Sequence, residues 1–349
     1  MIKNRFGLSG QAREDLIQRF LHRKQESGEM ATPPVGRVSS AQIPEAFYRF
    51  DRFPGYEKIL VPQTAARRLG IPNPFFKVHE GAAGATTQID GRTFINFSSY
   101  NYLGLSGHPR VNKAAKDAID RYGTSSSASR LVAGERPIQR DLETALAEYY
   151  GVEDCVVFVS GHATNVSTIG YLFGPKDLVV HDSLIHNSVL EGIKLSGAVR
   201  RSFPHNDHVA LDAILGEVRD RYERVLVVIE GHYSMDGDIP DVPRFVDVKL
   251  RHKVFLMVDC AHSLGVLGVR GGGVREHFGV TGASVDIWMG TLSKTLAGCG
   301  GFIAGPAACV SHASSPWHAN WQMGENHRLV EPSNRDSGGL SQGHESSAQ

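Results

Sequence analysis

The chain has 349 residues, 41% of them hydrophobic, with Lys plus Arg and Asp plus Glu balanced at 37 each. That length and apolar content suit one large domain, or one large and one small, with an ample core. Balanced charge argues against nucleic acid or a membrane surface as partner, and no apolar run reaches the length of a membrane span.

In chain order, residues 11–25 have helical spacing and many charges, and MATPPVGRVSS is linker-like, rich in Pro, Gly and Ser. AFYRFDRFPGYEKIL concentrates aromatics, as a segment packing onto another surface would. TTQIDGRTFINFSS predicts two short strands around a tight Asp90-Gly91 turn, and HPRVNKAAKDAIDRYG a helix. An alternation follows: helix IQRDLETALAEYYG, strand DCVVFVS, a helix from His162, strand DLVVHD, helix SVLEGIKLSG. Strand VLVVIEG, helix VPRFVDVKLRHK and strands VFLMVDCAH and VDIWMGTL complete it. Short apolar runs between amphipathic helices predict an α/β fold with a mainly parallel sheet flanked by helices. The expected organisation is an N-terminal helical and linker arm over 1–85, a large domain over 86–305 and a disordered tail over 306–349, rich in Ser, Gly, Asn, His and Gln.

None of Cys155, Cys260, Cys299 and Cys309 forms a C-x-x-C pair, so no metal site is expected, and free thiols fit a reducing cytoplasm. The N-terminus lacks the apolar stretch of a signal peptide.

Chemistry in α/β enzymes gathers at strand ends. VLVVIEG runs into Ser234, VFLMVD ends in Asp259 with His262 three residues on, and VDIWMGTLS ends at Lys294. A hydroxyl, a carboxylate with an imidazole, and an amine thus arise at three consecutive strand ends. Pyridoxal 5'-phosphate (PLP) needs such a set: a lysine amine for its aldehyde, and an acidic partner that keeps its pyridine nitrogen protonated. Lys294 and Asp259 suit these roles, with His262 and Ser234 as candidates for the ring hydroxyl. The phosphate needs backbone N–H groups at a helix start, which Ser160, Gly161 and His162 offer after strand DCVVFVS, with Thr291 and Ser293 as further candidates. His186 opens a helix after another strand and is the candidate for stacking on the ring. Taken singly, each residue has an ordinary explanation as cap, turn, packing or surface group; as an ordered set they point to one site. His108, His205 and His277 are read as packing or surface residues, and GVRGGGVREHFG as a loop into a helix rather than a dinucleotide fingerprint.

FINFSSYNYLGLSGHP, GTSSSASRLVAGERPIQRDLETALAEYYG, VFVSGHATN, HDSLIHNSVLEG, EGHYSMDGDIPD, VDCAHSLGVLG and GTLSKTLAGCGGFIAG together resemble the α-oxoamine synthases over residues 94–305. This group includes 8-amino-7-oxononanoate synthase, aminoketobutyrate CoA ligase, 5-aminolevulinate synthase and serine palmitoyltransferase. SYNYLG and GTLSKTLAGCGG look most like the serine palmitoyltransferase branch and similar domains attached to polyketide synthases. The resemblance implies a fold-type I PLP enzyme, usually a homodimer, that condenses an amino acid with an acyl thioester of CoA or a carrier protein, losing CO2 and giving an α-aminoketone. It implies Lys294 as the Schiff-base lysine and base, Asp259 at the pyridine nitrogen, and His262 and Ser234 at the ring hydroxyl. His186 falls on the ring-stacking position, Ser160, Gly161, His162 and Thr291 around the phosphate, and Tyr100 and Asn101 along the amino-acid carboxylate. The sequence departs from the family pattern at His162, Cys260 and Gly272, where an aromatic, an acidic residue and an Arg are common.

The family pattern continues past the lysine loop into a C-terminal small domain that supplies an arginine for the substrate carboxylate. Here the resemblance ends near Gly305, and Arg328 and Arg335 sit in no matching motif, so a truncated small domain is expected. Two alternatives accompany the acyltransferase reading: a PLP aminotransferase on the same fold, and a catalytically inactive remnant.

Overall fold

The computed structural model describes residues 43–314. The helical spacing over 11–25, the linker over 30–40, Arg328, Arg335 and all of the tail beyond residue 314 lie outside the described residues. The chain divides into two units, residues 1–77 and 78–349. The first unit's described part has two short 3-10 turns, Glu45–Phe47 and Phe50–Arg52, and helix α1 over Pro54–Arg68. Pro54 opens α1, where its missing N–H costs nothing, and none of the helix is buried. The aromatic segment 46–60 therefore contains the start of a helix that its spacing did not announce.

The second unit begins with a hairpin, β1 (Thr86–Ile89) and β2 (Arg92–Ile95), paired antiparallel. Asp90 and Gly91 both take positive φ, 51° and 70°, as a tight two-residue turn requires. Helix α2 (Pro109–Tyr122) and helix α3 (Pro137–Tyr150) follow, each with Pro in the first turn and glycine just past its end. The remaining elements are β3 (Asp154–Phe158), α4 (Gly161–Leu172), β4 (Leu178–Asp182), α5 (Asn187–Ser196), β5 (Val199–Phe203), α6 (His208–Val218), β6 (Val225–Glu230), α7 (Val242–His252), β7 (Phe255–Asp259), α8 (Gly273–Phe278), β8 (Ile287–Thr291), β9 (Gly301–Gly305) and α9 (Ala307–Ala313).

Seven of these strands form one sheet in the order β3-β9-β8-β7-β6-β4-β5. From β5 to β8 all neighbours are parallel, while β9 runs antiparallel to both β8 and β3. The strands β4, β6, β8 and β9 are buried along their whole length, which is why β4, β6 and β8 read as mainly apolar runs. Successive residues face opposite layers. Val225, Val227 and Ile229 of β6 join Val180, Val258 and Phe245 in one core layer, while Leu226 and Val228 join Val179, Met257 and Ile169 in the other.

Besides α1, three elements before residue 306 were not legible in the sequence. β5 (VRRSF) is an edge strand carrying two arginines, β9 (GFIAG) has glycines at both ends, and α6 (HVALDAILGEV) is apolar nearly all round. The folded domain also continues beyond Gly305. Pro306 caps α9, whose Val310 is buried with Cys309 and Ala313 against it, and Ala307 N–H donates to Glu153 Oε2 at 2.8 Å. Ser and His in this helix dilute the apolar period that would have revealed it. Among the described residues no helix is long and apolar enough to cross a membrane, and no group of His, Cys, Asp or Glu side chains is placed to hold a metal ion.

Candidate active site

Because β4, β6, β7 and β8 are parallel and adjacent, their C-terminal ends share one edge, and they deliver Asp182, Glu230, Asp259 and Thr291 there. Helices α4 and α5 start at the same edge. Ser160 caps α4, its Oγ accepting from Ala163 N–H at 3.0 Å. His186 caps α5, its Nδ1 accepting from Ser188 N–H at 3.2 Å. Between these parts lies a cavity of about 260 Å³, near the small end of ligand pockets. Ser160, Gly161, His162 and His186 line it from the helix side. Asp259, His262, Thr291, Ser293 and Lys294 line it from the strand side.

Lys294 sits in the turn after β8, and its Nζ lies 2.6 Å from His262 Nε2 and 5.5 Å from the centre of the Tyr100 ring. Burial lowers the Lys294 pKa, against the opposing pull of Asp259 and Glu230. The other nitrogen of His262 meets Tyr102 Oη at 2.7 Å. Burial and then the neighbouring Lys294 charge push His262 down to about 4, so its imidazole is neutral at pH 7.

Asp259 is buried at 4% exposure. One carboxylate oxygen accepts from Asn165 Nδ2 at 2.9 Å and the other from Ala261 N–H at 3.0 Å. Asn165 Nδ2 also donates to Ser188 Oγ at 2.9 Å, while its Oδ1 is buried without a partner among the described residues. On the opposite wall, Gly161 packs so closely that a Cβ there would stand 3.1 Å from Thr291 Cβ and Oγ1. Thr291 Oγ1 donates to Gly300 C=O at 3.0 Å and accepts from Ser293 N–H at 3.2 Å.

Three residues singled out in the sequence do not line the cavity. Ser234 is exposed in the turn that follows β6, because the chain swings outward after Gly231 and is tied there by Gly237 N–H to Tyr233 C=O at 2.8 Å. Asn101 spends its amide locally, donating to Ala83 C=O at 2.6 Å and accepting from Ser106 N–H at 3.0 Å. Tyr100 is 59% exposed and stands edge-on to His262, 6.0 Å between ring centres, beside the site rather than in its wall.

Four polar residues at the site were missed. Asn165 lies one helical turn inside α4, Ser188 is the second residue of α5, Glu230 ends β6, and Tyr102 follows Tyr100 and Asn101. Glu230 alone carried a readable signal, since it ends an apolar strand as Asp259 does. The strand register sets these two carboxyl residues side by side.

The model of the family "Aminotransferase class I and II" matches residues 92–316. The chain is 44% identical over 236 residues to a putative 8-amino-7-oxononanoate synthase of Gloeobacter violaceus, covering 68% of this chain and 60% of that protein. It is 44% identical over 230 residues to the 8-amino-7-oxononanoate synthase of Geobacter sulfurreducens, covering 66% and 58%. Among solved structures, the serine palmitoyltransferase of Sphingomonas wittichii superposes with a TM-score of 0.69 at 32% identity, over 77% of this chain and 65% of that one. The serine palmitoyltransferase of S. paucimobilis with a bound PLP–myriocin aldimine superposes at 0.71 and 31%, over 74% and 65%. The chain thus spans about three fifths of the length of the curated relatives it matches. Its sheet order, its strand-end residues and these matches agree: the chain belongs to the aminotransferase class I and II family, in the α-oxoamine synthase group.

Proposed function

We propose that the cavity holds PLP and that the protein condenses an amino acid with an acyl thioester, of CoA or a carrier protein, releasing CO2 and an α-aminoketone. The observation that carries this reading is the placing of Lys294 and Asp259 in the walls of one cavity, each as a buried or half-buried charge with no ion pair of its own among the described residues.

The residues present fit the cofactor. Asp259 is buried with two N–H donors but no cation beside it among the described residues, and a protonated pyridine nitrogen would supply the opposite charge. At the far wall, the unpaired N–H groups of the first turn of α4 and the hydroxyls of Thr291 and Ser293 form an anion site, with Gly161 leaving the backbone bare for close approach. His186 is the ring-stacking candidate.

When bound, PLP supplies an aldehyde for the substrate amine and a ring that withdraws electrons from the substrate Cα. Four side chains of this chain have roles around it. Asp259, oriented by Asn165 and Ala261, holds the ring nitrogen in its protonated form. Lys294, lowered by burial toward its neutral amine, is the base at Cα. His262 holds Lys294 Nζ in place through Nε2 and is itself held by Tyr102. Tyr100, whose ring centre lies 5.5 Å from Lys294 Nζ, is the candidate beside which the carboxylate of an amino acid would enter.

We further propose a homodimer working in a reducing cytoplasm. Phe97, Tyr100, Leu103, Val132 and Val159 are exposed by 54–92% in the second unit, more apolar surface than a monomer needs, and the four cysteines are unpaired. Sedimentation of the reconstituted protein reads the oligomeric state directly.

The deciding experiment is the visible spectrum of the protein with PLP, beside Lys294→Ala. A band bleached by borohydride in the wild type and missing in the variant supports the cofactor reading. Amino acids and acyl thioesters are then screened for coupled release of thiol and CO2. Release of a 2-oxo acid without thiol would move the reading to an aminotransferase. No band in folded protein would leave the inactive remnant as the better account.

A further inference from the structure

Glu230 has no part in the roles assigned above, yet it occupies the middle of the site. It ends β6 with 5% exposure and lines the cavity. Its Oε1 accepts from the backbone N–H of His186 at 2.8 Å, across 44 residues of sequence. This bond ties the end of β6 to the cap of α5, and so fixes a residue that lines the cavity. The His186 ring is held separately, by Ser188 Oγ at 2.7 Å from Nδ1. Backbone and ring are therefore pinned from two elements.

We propose that Glu230 is a positioning residue of this site, a neutral carboxylic acid that locks His186 over the cavity by accepting its backbone N–H.

The neutral form follows from the surroundings. Asp259 of β7 is its register partner, Asp182 of β4 lies on the other flank, and the Tyr233 hydroxyl accepts from Glu230's own N–H at 3.3 Å. Lys294, after β8, is a cationic group that faces it, and that amine is itself lowered by burial. Two carboxyl groups side by side in a dry pocket do not both ionise, and Asp259 is the one with two N–H donors. Burial and then Asp259 push Glu230 up to about 8. A carboxylic acid also serves His186 as well as a carboxylate does, since its carbonyl oxygen still accepts.

This inference rests on reading the cavity as a PLP site, but half of its test does not need PLP. In the cofactor-free full-length protein, Glu230→Gln keeps the shape and the accepting oxygen, and Glu230→Leu removes the acceptor while filling the space. We expect His186 N–H to exchange with solvent about tenfold faster or more in the leucine variant and at the wild-type rate in the glutamine variant. A group whose folded pKa is raised loses stability as pH rises from its unfolded value, roughly 4.3, towards its folded one. The glutamine variant should therefore gain stability relative to wild type from about pH 5 to about pH 8. With PLP added, the leucine variant should bind about tenfold more weakly and the glutamine variant like wild type.

Unchanged His186 exchange in the leucine variant would overturn the positioning role. A flat stability difference between wild type and the glutamine variant, or a glutamine variant that behaves like leucine, would overturn the neutral acid. If the wild type takes up no PLP, the cofactor reading fails, and exchange and the pH profile still decide the role of Glu230.

Discussion

Lys294 Nζ and His262 Nε2 stand 2.6 Å apart, and Tyr102 Oη closes the other side of the imidazole at 2.7 Å. A neutral imidazole carries one N–H, so the two contacts are of opposite kind: one nitrogen donates and the other accepts. The amine, the ring and the phenol then form one line along which a proton can be held at either end. His262→Asn should therefore leave a borohydride-reducible PLP band, because Lys294 remains, while slowing thiol release by about 100-fold or more. Spectrum and thiol release measured on the same sample check this. Loss of the band instead would mean that His262 is needed to aim the amine at all.

Asp259 combines deep burial with the absence of an ion pair among the described residues. Such a group is maintained for a ligand rather than for stability. Asp259→Asn should raise the PLP dissociation constant about tenfold or more, yet leave the melting temperature of the cofactor-free protein equal or higher. Titration with PLP and a thermal melt without it separate the two effects. A large drop in melting temperature would show Asp259 to be structural, tied to Asn165 and Ala261.

The sequence and the structure diverge in an instructive way at this edge. β4, β6, β7 and β8 were readable because a strand covered on both faces must be apolar throughout. Lys294, Asp259 and His262 were readable because they end or follow such strands, where a charge has no packing reason to be. Ser234 was expected in the site from its place after a strand end and by resemblance, but which way a turn carries a side chain depends on the bonds that close it, here Tyr233 to Asp238 and Gly237 to Tyr233. Asn165 was invisible for the complementary reason: a polar residue inside a helix declares itself only when the fold brings its partners alongside. Glu230 ends an apolar strand as Asp259 does, but only the register sets the two side by side.

His205, read from sequence as a packing or surface residue, bridges two carboxylates. Its Nδ1 lies 2.9 Å from Asp182 and its Nε2 2.8 Å from Asp238, with Tyr233 edge-on at 4.5 Å. Burial pulls its pKa down, but the bonds to Asp182 and Asp238 outweigh that and leave it raised. A raised histidine stabilises the fold fully below its unfolded pKa of about 6.5, and that contribution disappears as pH rises through the higher folded value. His205→Gln should thus lose most stability below about pH 6.5 and approach wild type on the alkaline side. Urea unfolding from pH 5.5 to 8.5 reads the difference, and a constant gap across that range would show the role to be packing alone.

The phosphate side of the proposed site depends on two glycines facing each other. A Cβ on Gly301 would come within 2.7 Å of Gly161 Cα and 2.8 Å of Gly161 N, and would also strike Thr164 Oγ1. Backbone atoms cannot swing aside as a flexible side chain can, so the first turn of α4 would have to move away from β9. Gly301→Ala should cost about 1–3 kcal/mol of stability through overpacking. It should also weaken inorganic phosphate binding, because displacing the first turn of α4 moves Gly161 and His162 in the cavity wall. Gly279→Ala is the control: unlike Gly301, Gly279 takes positive φ, at 65°, and a Cβ there meets nothing within 4 Å. It should cost about 1 kcal/mol and leave phosphate binding as it was. Equal loss of phosphate binding in both variants would mean that the bare backbone of Gly161 is not what the anion meets.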